Sequence, residues 1–266
     1  MQVFADDGAR IDVRVDGSGG VPIVMIAGFP LAREIWDLQA DALSRAHRTI
    51  RPDLRGVGKS SAPGGPYLME ALAADVCAAL DALGIERAAI VGHSLGGYVG
   101  LAFARMFTER VSHLALVCSR LGADSPEQAA ARRRLADRLE REGTMQAAIE
   151  AYAPRLVAPA TVVGERPEVV ARIREVAAAR VDPHGAASLL RGMAERVAAD
   201  DIAPDLEIPV LVIAGACDAG IPVEEARAMA RTFPRGRLVV CERSGHVPML
   251  EEPDRVTVAL EALVNE

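Results

Sequence analysis

Short apolar runs alternate along this chain with segments whose apolar residues recur every three or four positions. Val21 to Ala27 is an apolar run that ends at Gly28, the pattern of a strand buried on both faces. Arg10 to Val15 alternates polar and apolar residues and predicts an antiparallel edge strand. Arg48–Arg51, stopped by Pro52, and then Arg87–Val91, Val111–Cys118, Val210–Ala214 and Arg237–Cys241 read as further strands. Between them lie helical patterns: one around Trp36, Leu38 and Leu43, one over Tyr67–Leu83 closed by Gly84, then Tyr98–Phe107, Val223–Phe233 and Val256–Val264. This alternation predicts an α/β fold, a mostly parallel sheet with helices on both faces.

The rhythm breaks between Leu121 and Ala203, a stretch rich in Ala, Arg and Glu with no strand-like run. Ala129–Glu142 and Pro167–Arg180 read as amphipathic helices. Residues 1–120 and 204–266 are therefore expected to form the core, and 121–203 a helical cap inserted after the Val111–Cys118 strand. Extra surface helices on the same core are the alternative.

Composition narrows the picture. In 266 residues the formal charge is −7, with Lys and Arg scattered rather than striped, so nucleic acid is not an expected partner. No apolar run approaches the length of a membrane span. The opening residues Met1–Asp7 lack a basic start followed by an apolar stretch, so a signal peptide is not expected and a cytoplasmic location is. Cys77, Cys118, Cys217 and Cys241 match no CxxC or zinc spacing, and are expected as free, mostly buried thiols. The five histidines form no HxxxH pair, and neither a metal nor a cofactor is expected.

One turn carries chemistry. Gly92-His93-Ser94-Leu95-Gly96 matches G-x-S-x-G, with the strand Ala88–Val91 directly before it and a helix after it. The bare pattern would arise by chance in roughly 7% of such chains, so the strand–turn–helix setting carries the weight. Such a turn exposes a serine at a helix N-terminus, where free N–H groups favour developing negative charge. A serine hydroxyl needs a base, and the base needs an orienting acid. Both candidates stand on loops that follow strands: Asp218 after Val210–Ala214, and His246 after Arg237–Cys241. Asp218 could instead cap the helix that follows it, and His246 could be an ordinary loop residue. His93, adjacent to Ser94, reads as packing or pocket lining. Gly58-Lys59-Ser60 looks like a phosphate loop but lacks its first glycine, since Asp53 stands there.

Taken together these motifs resemble the α/β-hydrolase family, in particular its cap-bearing serine esterase, lactonase and haloperoxidase-like members. Asp53-Leu54-Arg55-Gly56-Val57-Gly58-Lys59-Ser60 is similar to the family's D-x-R-G-x-G-x-S loop. The segment Gly215–Asp218 is similar to its acid loop, and Ser244-Gly245-His246 with Glu251 and Pro253 to its histidine segment. The resemblance implies a Ser94–His246–Asp218 triad. It also implies an oxyanion hole made by the backbone N–H groups of Phe29 and Leu95. Relatives commonly carry His where this chain has Ala27, a departure that removes a side chain but not the Phe29 donor.

The implied activity is hydrolysis of a small carboxylic ester or lactone through an acyl-enzyme. Two alternatives use the same triad: cofactor-free haloperoxidase (perhydrolase) chemistry and carbon–carbon bond hydrolysis. A ligand-binding receptor with slow turnover is the reading from another class. Trp36 reads as core rather than pocket wall, while Tyr98 and Met145 are undecided between the two.

Overall fold

The computed structural model describes residues 1–266, apart from the side chain of Val163. Eight strands form one sheet: β1 (Gln2–Phe4), β2 (Arg10–Asp16), β3 (Ile23–Ile26), β4 (Thr49–Pro52), β5 (Ala88–His93), β6 (Val111–Val117), β7 (Val210–Gly215) and β8 (Gly236–Cys241). Their order is β1-β2-β4-β3-β5-β6-β7-β8. The β1/β2 and β2/β4 pairings are antiparallel, and every later one is parallel. Strands β3, β5 and β7 are buried along their whole length, which is why they read as unbroken apolar runs.

The flanking helices of the core are α1 (Asp37–Leu43), α2 (Met69–Ala82) and α3 (Leu95–Met106) in the first half of the chain. Between β6 and β7 come α4 (Pro126–Glu142), α5 (Gln146–Tyr152), α6 (Pro167–Arg180) and α7 (Pro183–Glu195). Then follow α8 (Val223–Thr232), the single turn α9 (Pro248–Glu251) and α10 (Pro253–Val264). Helices α2 and α3 pack on each other, as do α1 and α10, while α8 lies against β7 and β8.

Three details differ from expectation. The Arg10–Val15 strand is antiparallel but not the edge, because β1 pairs outside it. At three residues β1 is too short for alternation to register. The helix after Ser94 starts at Leu95, not at Tyr98. Gly96 and Gly97 belong to its first turn because neighbouring chain crowds them: a Cβ at Gly96 would lie 2.3 Å from the Ile26 carbonyl oxygen, and one at Gly97 2.3 Å from Ser119 Oγ. Of the cysteines, only Cys118 and Cys241 are buried, Cys77 being half-buried and Cys217 exposed.

Helices α4–α7 contribute no strand to the sheet among the described residues. Helix α4 opens with a reciprocal Ser125/Gln128 capping box and ends at Gly143 in the left-handed region (φ 65°). Asp182 caps α7 through the Gly185 N–H at 2.8 Å. The D-x-R-G-x-G loop meets the α6–α7 junction. Val57 bridges Val181, the Asp182 N–H donates to the Gly56 carbonyl at 2.9 Å, and Gly56 and Gly185 approach too closely for a Cβ on either. Among the described residues, no helix is long and apolar enough to cross a membrane.

Beneath that junction lies a buried charge network. Arg180 pairs with Asp53 (3.2 Å) and Glu34 (2.7 Å), and Arg33 with Asp12 (2.8 Å) and Asp53 (3.6 Å). Burial pushes the Asp53 carboxyl up to about 6, against the pull of Arg33, the Lys59 N–H and Arg180. Its value in an unfolded chain is about 3.9, so in the window between about pH 4 and 6 the folded state binds more protons. The Asp53 contribution to stability is therefore present at low pH and declines as pH rises. Against an Asp53→Asn variant, which lacks this titration, the wild type is expected to lose about 2 kcal/mol of relative stability from pH 4 to 6.5, measured by urea unfolding. A difference that stays constant with pH would show an ordinary carboxyl.

Candidate active site

Ser94 stands between β5 and α3 with φ 51° and ψ −112°, a left-handed backbone that a non-glycine residue rarely adopts. Hydrogen bonds hold it there. Its N–H donates to the Val117 carbonyl (2.9 Å), and its own carbonyl accepts from Gly97 N–H (2.9 Å) and Ser119 Oγ (3.0 Å). The turn closes tightly because Gly92 lies against the first turn of α3: a Cβ there would fall 2.2 Å from the Gly96 carbonyl oxygen.

Asp218 and His246 lie on the loops that follow β7 and β8. His246 Nδ1 is 2.6 Å from Asp218 Oδ2. The other carboxylate oxygen accepts the N–H groups of Gly220 (2.7 Å) and Ile221 (3.2 Å). Burial by itself would raise the Asp218 carboxyl, but the charge and hydrogen bond of His246 together with these two N–H groups hold it below its ordinary value. Asp218 is thus ionised and accepts a hydrogen bond from Nδ1–H, leaving Nε2 as the uncommitted ring nitrogen. The helix that Asp218 could have capped starts at Val223 with Pro222 before it, so Asp218 is not its N-cap.

Ser94, Asp218, His246 and Phe29 all line one cavity of about 550 Å³. The region between β6 and β7 contributes further lining residues, Gln128, Arg132, Leu135, Tyr152, Arg155 and Met193 among them. The Phe29 ring meets Tyr152 edge-on with centroids 5.2 Å apart, joining the loop after β3 to that region. Among the described residues, the N–H groups of Phe29 and Leu95 donate to no protein acceptor. The Leu95 side chain is buried in the core. Tyr98 lines the cavity, Met145 is buried among core residues, and Trp36 is fully buried.

Two residues do more than the sequence suggested. His93 is fully buried, and its Nε2–H donates to the His246 carbonyl (2.8 Å), tying the serine turn to the histidine loop. Burial, reinforced by the charge of His246, lowers it to about 3, so it is neutral. Its Nδ1 fills the space over Gly28, where a Cβ would come within 2.5 Å. Glu251 has a fully buried side chain that accepts from the Gly245 N–H (2.7 Å), the Ala158 N–H (2.9 Å) and Thr161 Oγ1 (2.7 Å). It joins the histidine loop to the segment after α5. The downstream spacing of Glu251 was visible in the chain, but its partners are up to 93 residues away.

Cys118 Sγ completes a trio with Asp218 and His246, whose ligand atoms all lie within 4.8 Å of one another. Sequence spacing does not suggest this grouping, because it joins three separate loops. Burial raises the Cys118 thiol well above its ordinary value, and His246 Nδ1 is engaged with Asp218. The trio therefore offers a neutral thiol and a committed nitrogen, which is poor chemistry for a metal.

A family model described as alpha/beta hydrolase fold matches residues 21–253, and the chain belongs to that family. It is 32% identical to 3-oxoadipate enol-lactonase 2 of Acinetobacter baylyi over 86% of this chain and 83% of that one. A thermophilic esterase from Thermogutta terrifontis, solved with malate bound, superposes with a TM-score of 0.95 at 38% identity, covering 100% of this chain and 97% of that one. The enol-lactonase from Burkholderia xenovorans LB400 superposes with a TM-score of 0.91 at 30% identity, with 100% of both chains covered.

Replacing Glu251 with Ala orphans the buried N–H groups of Gly245 and Ala158, each such loss costing about 1–3 kcal/mol. Glu251→Ala is expected to be destabilised by about 3 kcal/mol in chemical unfolding. Full stability in this variant would show that the Glu251 contacts contribute nothing.

Proposed function

We propose that this protein is a serine hydrolase that cleaves a carboxylic ester or lactone of a small molecule through an acyl-enzyme. The observation that carries the reading is the 2.6 Å contact between Asp218 and His246 on the wall of the cavity that also holds Ser94 in its constrained turn. The family and the enol-lactonase and esterase relatives support it from the side of sequence.

In this reading Ser94 Oγ attacks the substrate carbonyl while His246 Nε2 takes its proton. The imidazolium that forms is stabilised by the Asp218 carboxylate, which stays ionised throughout. The carbonyl oxygen, now negative, is received by the N–H groups of Phe29 and Leu95, with the N-terminus of α3 adding its dipole. His246 then protonates the departing alkoxide. For a lactone, the leaving oxygen remains attached to the acyl group. Water, deprotonated by His246, attacks the acyl-serine and releases the acid. Helices α4–α7 act as a cap over residues 1–120 and 204–266, shaping the pocket above Ser94. No metal or cofactor has a part in these steps, and the reaction takes place inside the cell on a small molecule.

Ser94→Ala is expected to lower kcat on p-nitrophenyl butyrate by on the order of 10⁶ and to abolish labelling by a serine-directed phosphonate. Near-normal turnover in this variant would sink the proposal. Asp218→Asn is expected to cost on the order of 10⁴ in kcat, because an amide in that place favours the wrong histidine tautomer. A negligible effect would mean that another carboxylate orients His246.

A further inference from the structure

We propose that the cavity selects esters or lactones that carry a separate carboxylate, received by Arg132 and Arg155, which line it together with Ser94. The proposal rests on the hydrolase reading for its chemistry, but the anion site stands on its own geometry.

Charge on the cavity wall is unbalanced. Three arginines line it, Arg120, Arg132 and Arg155, against a single carboxylate, Asp218. Asp218 is engaged by His246. Arg120 is also satisfied: it pairs with Glu225 at 3.1 Å and donates to the Gly220 carbonyl at 2.6 Å. The other two are not. Arg132 pairs with Asp124, but Asp124 is shared with Arg196, whose Nη2 lies 3.2 Å from Oδ1. The side chains of Arg196 and Asp124 are almost fully buried, so two guanidinium groups face one carboxylate away from water and one positive charge is left over. The Nη1 of Arg132 finds only the Met193 thioether sulfur at 3.4 Å, a weak acceptor. Arg155, exposed at the cavity, has no hydrogen-bond or ion-pair partner among the described residues.

The surroundings favour an anion over an apolar group. Tyr98 and Tyr152 line the same cavity, and neither hydroxyl has a hydrogen-bond partner among the described residues. The guanidinium of Arg196 stacks on the Tyr98 ring, 3.9 Å from its centroid. Hydrocarbon from Phe29, Leu135, Leu156, Met193 and Ile221 lines the rest of the cavity, so the guanidinium groups stand out against an apolar lining. Here the chain carries a net charge of −7, yet places uncompensated cations in the cavity that Ser94 lines. That distribution attracts an anionic substrate and fixes which end of it faces the serine. A planar guanidinium with free N–H groups matches a carboxylate bidentately.

The test compares monomethyl glutarate with methyl pentanoate, an anionic and a neutral ester of similar length, by pH-stat at low ionic strength. It also measures binding of glutarate against glutaramide by calorimetry. The wild type is expected to prefer the anionic ester by about 10-fold or more in kcat/KM, and the preference is expected to shrink with added salt. Arg155→Gln and Arg132→Gln should each reduce the anionic-to-neutral ratio by about 10-fold and weaken glutarate binding, and Arg155→Lys should restore part of it. Arg155 has no structural partner, so its variant reports on the proposal even if Arg132→Gln fails to fold. A ratio near one with glutarate bound no better than glutaramide overturns the proposal. A preference that survives both Gln variants does the same. If glutarate binds in an Arg155-dependent way while neither ester is turned over, the anion site stands and the hydrolase reading falls.

Discussion

The molecule is organised around the turn at Ser94. A strand buried on both faces must reverse into a helix within one residue, and the chain can do this only with Ser94 in left-handed backbone. That geometry costs about 1–3 kcal/mol unless the surroundings impose it. They do so by contact: Gly92 against Gly96, Gly96 against the end of β3, and Gly97 against Ser119 leave no room for a Cβ. Parallel pairing of β3, β5, β6, β7 and β8 then puts the loops after each strand along one edge of the sheet. Phe29, Ser94, Asp218 and His246 share a cavity because each follows its own strand at that edge.

Two buried acids hold this edge to the helices above it. Glu251 accepts from the histidine loop on one side and from the segment after α5 on the other. Asp53, in the loop after β4, faces Arg33 beside α1 and Arg180 at the end of α6. Both are carboxylates removed from water; Glu251 is met by donors on both oxygens, while Asp53 is held through Oδ2. They connect distant parts of the chain through charge and hydrogen bonds where apolar contact alone would permit sliding.

Much of this was legible in the chain because the signals are local. An apolar run between turn residues announces a buried strand wherever it occurs, and the G-x-S-x-G turn, the acid loop and the histidine segment each lie within a few residues of a strand end. The start of α3 was misread because Gly96 and Gly97 look like loop residues until the crowding at Ile26 and Ser119 is seen. Strand β1 escaped notice because three residues carry no period, and it forms only because β2 offers an unpaired edge. The tie from His93 to the His246 carbonyl spans 153 residues and has no local signature.

The sequence by itself determined the fold class and the candidate nucleophile, base and acid, because backbone pattern and motif order are properties of consecutive residues. What surrounds Ser94 depends on how the chain folds back on itself. Whether Arg132 is neutralised depends on Asp124 being divided with Arg196, and whether Arg155 is free depends on what stands near it in space. Charge balance is a sum over neighbours that the fold assembles from distant segments, so the character of the pocket could not be read from the order of the residues that line it.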